Sequence, residues 1–68
     1  MRDKDVADLY RKMMPEIGEV VGRATGELLR EGGAITNLAI REQITRLYAD
    51  KADDVVVQMA LALLSTKH

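Results

Sequence analysis

The chain has 68 residues, room for one domain, and its 47% hydrophobic and 31% charged content is that of a globular protein rather than a disordered tail. It has no cysteine, which excludes a disulfide framework and a thiolate site. Ten basic against eleven acidic side chains leave a formal net charge of -1, without the basic excess of most nucleic-acid binders.

Ala, Leu, Glu, Arg and Met are plentiful, and Tyr10 and Tyr48 supply the only aromatic rings. That balance favours helix and a core of aliphatics and methionine. The expectation is an all-α fold: one domain over 1–68, a small bundle of three to four short helices, completed by homodimerisation. The charged opening Met1-Arg2-Asp3-Lys4-Asp5 leads into no apolar leader segment, and no apolar run approaches the roughly 18 to 20 residues that span a bilayer. A cytoplasmic protein with no membrane association is expected.

The first helix is expected over about 4–13, where Val6, Leu9, Tyr10 and Met13 recur at i, i+3, i+4 and i+7. Pro15 disfavours helical geometry at Met14 and suits a first helical position, so a second helix is expected over 15–31. Its core face reads Ile17, Val20, Val21, Ala24 and Leu28, with Glu19, Arg23, Glu27 and Arg30 opposite and Glu19 spaced to pair with Arg23. Gly32 and Gly33 end it, because glycine adopts the left-handed cap conformation without a steric penalty.

Thr36 or Asn37 can cap a third helix, expected over 37–49, with Ile40, Ile44, Leu47 and Tyr48 as its buried stripe. The segment from Asp50 to Asp54 breaks that periodicity and offers carboxylates to cap a fourth helix over 54–65. Between Val55 and Leu64 the one polar side chain is Gln58, so this helix is apolar around most of its circumference. A domain near this size encloses only about 60% of its unfolded surface, so a second chain is expected to cover Val56, Met59, Ala60, Leu63 and Leu64. Lys67 and His68 are expected as a frayed end.

Gly18, Gly22 and Gly26 recur every four residues, each costing about 1 kcal/mol relative to alanine in an exposed helix. Close packing against a neighbouring backbone would offset that cost. Asp50, Asp53 and Asp54 resemble part of a calcium loop, but Leu61 stands where the closing glutamate is required, so capping is the better reading. No nucleophile and base share a recognisable pattern, no metal or cofactor is implied, and no enzymatic activity is expected. The helices flanking Gly32-Gly33 could form a helix-turn-helix, with Arg41, Gln43, Thr45 and Arg46 as base or phosphate donors. Glu42 shares their surface, and a solvated mixed-charge face explains the pattern equally well.

The stretch from Val20 to Ile40 resembles the YmgB/AriR family of small enterobacterial biofilm and acid-resistance regulators. In that family an aliphatic-glycine pair begins a helix, a second glycine ends it ten residues later, and a capped aliphatic leads into the next helix. Val21-Gly22, Gly32 and Ile35-Thr36-Asn37 stand at those places, and the match continues through Ile40, Ile44 and Tyr48 to Asp54 and the run from Ala60 to Leu64. The turn before the last helix is shorter than is usual in the family, and Gly18 and Gly26 are additional. The resemblance implies an all-helical homodimer, a connector protein that binds a regulatory protein such as a response regulator of the Rcs phosphorelay. Biofilm, capsule and acid-stress gene expression would shift in consequence, and no catalytic residue is carried over. DNA binding is also implied as an alternative, and the residues themselves offer Arg41 and Arg46, joined by Arg23 and Arg30, as contacts to DNA or to a protein partner. A phage- or plasmid-borne inhibitor or antitoxin-like protein is a further alternative for a chain of this composition.

Overall fold

A computed structural model describes residues 3–65, and side chains from Asp5 onward. Lys67 and His68, expected as a frayed end, lie outside the described residues. The protein is all-helical: α1 spans Asp3–Glu31, α2 Asn37–Leu47 and α3 Val55–Leu64, with a 3-10 turn over Ala49–Lys51. Three α-helices fall within the three to four expected, but the expected break at Pro15 is absent. The segments 4–13 and 15–31 are one helix of 29 residues with Pro15 inside it.

Proline removes one hydrogen bond, here to the Arg11 carbonyl, and in a helix interior costs about 3 kcal/mol. Pro15 and Arg11 are both exposed, so that carbonyl can turn to water. On the opposite side Tyr10 and Met13 pack against the core and Ile17 is buried within it, which holds the apolar face in register across the proline. Packing on both sides of Pro15 therefore prevails over its local preference. Val21-Gly22, which the resemblance places at a helix start, lies in the middle of α1.

The ends of the elements follow local chemistry. Gly32 has φ 75°, its N–H donates to Leu29 O at 3.2 Å and that of Gly33 to Leu28 O at 3.1 Å, the paired bonds of a Schellman cap. Thr36 Oγ1 accepts from the Ala39 N–H at 3.1 Å and caps α2, and Asp54 Oδ1 accepts from the Val56 N–H at 2.8 Å and caps α3.

The core is a single cluster: Ile17, Val20, Ala24 and Leu28 from α1, Ile40 and Ile44 from α2, and Val57, Met59 and Ala60 from α3. Leu47, Tyr48, Val56, Leu61 and Leu64 close its edges. At 1.5 Å per residue α1 is about 43 Å long, whereas α2 and α3, with 11 and 10 residues, each run only about 15 Å. The molecule measures 40 × 29 × 17 Å, its long dimension matching α1. No helix among the described residues is long and apolar enough to cross a membrane.

Candidate functional site

The surplus of apolar surface on the last helix is mostly absorbed within the chain. Met59 and Ala60, expected at a dimer interface, are 8% and 0% exposed in the chain's own core, and Val56 and Leu64 pack against that core. Of the five residues assigned to the interface only Leu63 is open, at 39%. α3 lies against both other helices, which buries Val57, Met59 and Ala60 and leaves Val55, Ala62 and Leu63 exposed.

The glycines behave differently from expectation as well. Among the described residues, a Cβ built at Gly18, Gly22 or Gly26 would have no atom within 4 Å outside its local neighbourhood, so none of the described elements makes the close approach that their spacing suggested. Gly22 and its neighbours in the series are exposed on α1.

The four candidate arginines fall into three settings. Arg30 pairs with Glu27 on the α1 surface. Arg23, expected to pair with Glu19, instead places its guanidinium 5.9 Å from the centroid of the Tyr48 ring, within cation–π range. Together with Glu16, Glu19, Lys51 and Asp54 they border a cleft of about 460 Å³ between α1 and the start of α3. Sequence reasoning missed this cleft, because Arg23 and Tyr48 are brought together by the packing of α1 on α2 and the 3-10 turn.

Arg41 and Arg46 do share a surface. They line a shallow depression on α2 of about 470 Å³ with Leu38, Glu42 and Thr45. Leu38 is 61% exposed there. Arg41 is half-buried and its Nε is enclosed without a hydrogen-bond partner among the described residues, while Thr45 Oγ1 donates back to the Arg41 carbonyl at 2.9 Å. Gln43, expected as an exposed donor, is instead buried at 4% exposure. Its Nε2 donates to Glu31 Oε2 at 3.4 Å, and its Oε1 accepts from Arg46. Gln43 thus ties α2 to the end of α1 and aims Arg46, and is not available to a base edge. The signal that could have found it is its spacing: Gln43 lies three residues after Ile40 and beside Ile44, within the buried stripe.

Among the described residues no group of three or more His, Cys, Asp or Glu is placed to hold a metal ion. The acidic turn serves α3 as a cap through Asp54, as its sequence suggested. Comparison of the chain with family models, with curated proteins and with solved structures found no match in any of the three. The likeness to the YmgB/AriR regulators rests on the residues quoted above.

Proposed function

We propose that this chain is a small non-enzymatic regulatory adaptor, a connector that dimerises, binds a signalling protein such as a response regulator of the Rcs type, and thereby modulates biofilm and acid-stress gene expression. The observation that carries the protein-binding part is the α2 depression. Leu38 stands exposed in its lining, an apolar anchor among two arginines, a threonine and a glutamate. Arginine beside an exposed aliphatic suits a protein interface, where apolar contact and charge-assisted hydrogen bonds are used together. A phosphate backbone rewards uniform positive charge, and Glu42 works against it. The regulatory context comes from the YmgB/AriR resemblance alone.

Such an adaptor acts by occupancy. Binding one conformation of a regulator more tightly than another shifts the regulator's population, with no chemistry on the adaptor. Calorimetric titration of a purified Rcs-type response regulator, phosphorylated and unphosphorylated, tests this. The expected result is unequal affinity for the two forms, weakened in R41E and R46E. Equal affinity, or no binding, overturns it, because a ligand that binds both states alike shifts neither. Arg41 and Arg46 on one face also favour a second reading, direct DNA binding. Titration of a DNA duplex across a salt series separates the two, since affinity that falls steeply with salt and vanishes in R41E/R46E would replace the adaptor with a DNA-binding regulator.

A further inference from the structure

The outer face of α2 is set by its helical period. Leu38, Arg41, Glu42 and Thr45 recur at three and four residues, opposite the buried side formed by Ile40, Gln43 and Ile44, and Arg46 follows one turn beyond Glu42. At about 100° per residue, Arg41 and Arg46 stand on opposite edges of this face, about 140° apart, and Glu42 lies between them. Neither arginine takes part in the ion pairs among the described residues, Asp8–Arg11 and Glu27–Arg30. Glu42 is spaced to pair with Arg46 at i, i+4, yet Arg46 donates instead to Oε1 of the buried Gln43, and the amide nitrogen of Gln43 donates to Glu31 Oε2 at 3.4 Å. Arg41 is half-buried with its Nε enclosed. Both guanidinium groups are therefore held near their positions before any partner arrives, so little side-chain freedom is lost when they bind.

We propose that this face takes an acidic segment of a partner protein in which two carboxylates flank an aliphatic side chain, and that Glu42 is the residue that restricts it to such a ligand. The aliphatic side chain covers Leu38, which is 61% exposed, and each carboxylate meets one guanidinium, whose fork matches its two oxygens. Two separate carboxylates can straddle Glu42. A nucleic-acid strand carries a phosphate on every nucleotide, so a strand that spans the two arginines also passes Glu42 and is repelled there. This inference rests on the protein-binding reading of the α2 face and supplies the chemistry of the partner.

Nuclear magnetic resonance titration of the isotope-labelled full chain, followed at the Nε–H signals of Arg41 and Arg46, tests it. Three probes are compared at one low salt concentration: a capped helical peptide with glutamates on either side of a leucine, the same peptide with glutamines for the glutamates, and a single-stranded oligonucleotide. The glutamate peptide should shift both arginine signals and bind about fivefold more tightly than the glutamine peptide, the size expected of two exposed ion pairs. The oligonucleotide should bind more weakly than the glutamate peptide. Glu42→Gln, at an exposed position, should strengthen the oligonucleotide about fivefold and the glutamate peptide less than about twofold, with amide signals away from α2 unchanged. Equal binding of the two peptides, or no shift of the arginine signals with either, overturns the acidic ligand. An oligonucleotide that binds the wild type more tightly than the glutamate peptide, or a Glu42→Gln variant that strengthens both alike, overturns the role of Glu42. The response-regulator reading fails separately. A regulator that does not bind while the glutamate peptide does removes the regulator and keeps the acidic ligand, whereas a regulator that binds without disturbing the Arg41 and Arg46 signals keeps the regulator and removes this face.

Discussion

From Val6 to Leu28 α1 carries one apolar stripe at a single helical period, yet its two halves end in different surroundings. The second half, Ile17 through Leu28, is enclosed by α2 and α3, and the first half, Val6 through Met13, is open or half-open. Periodicity and residue type are the same on both sides of Pro15. The difference comes from reach, because two helices of 10 and 11 residues cannot line a helix of 29. An amphipathic pattern therefore says that a face will be covered and leaves open what covers it.

The sharpest way to break the comparison is to truncate the enclosed half. Ile17→Ala should lower the unfolding free energy by about 2 to 5 kcal/mol, through lost apolar transfer and the cavity left behind. Urea denaturation measures it, and a loss below about 1 kcal/mol would mean that the core at Ile17 is looser than its burial indicates. Next in size is the boundary between the halves. Pro15→Ala restores a backbone hydrogen bond inside a continuous helix and should raise stability by up to about 3 kcal/mol. Destabilisation would show that α1 is divided at Pro15 after all.

Gly22→Ala should stabilise by about 1 kcal/mol, since the added methyl meets open space and alanine loses less backbone freedom than glycine. A drop in the thermal midpoint would reveal a neighbouring chain seated on that face of α1. The smallest effect belongs to the open half. Val6→Ala, measured by urea denaturation at a concentration where the chain is monomeric, should change stability by no more than about 0.5 kcal/mol. A loss comparable to that of Ile17→Ala would erase the distinction between the halves.

The element ends were legible in the sequence because the groups that make them are neighbours along the chain. Gly32 and Gly33 close α1, Thr36 caps α2 and Asp54 caps α3 through bonds spanning a few residues, so residue type and spacing suffice. The stripe of α2 was readable for the same reason, with Ile40 and Ile44 one turn apart and buried. What could not be read depends on partners distant in the chain. Pro15 stays helical because residues before and after it reach the same core, Gln43 is buried because Glu31 at the end of α1 receives its amide, and Arg23 leaves Glu19 for a ring 25 positions away. The candidate surface on α2 was half-legible: Arg41 and Arg46 were placed together by helical spacing, whereas the enclosure of Arg41 Nε and the removal of Gln43 from that surface needed the packed bundle.

By itself the sequence determined that the chain is helical, where its helices cap and which stripes are apolar, because those properties are set by propensity and by contacts within a turn or two. Only the tertiary structure decided that the two N-terminal segments are one helix, that Met59 and Ala60 belong to the chain's own core, and that Val6 and Leu9 stay open while Ile17 on the same stripe is enclosed. Those outcomes turn on the relative lengths of helices and on which side chains meet across the bundle, and neither is a property of any local stretch.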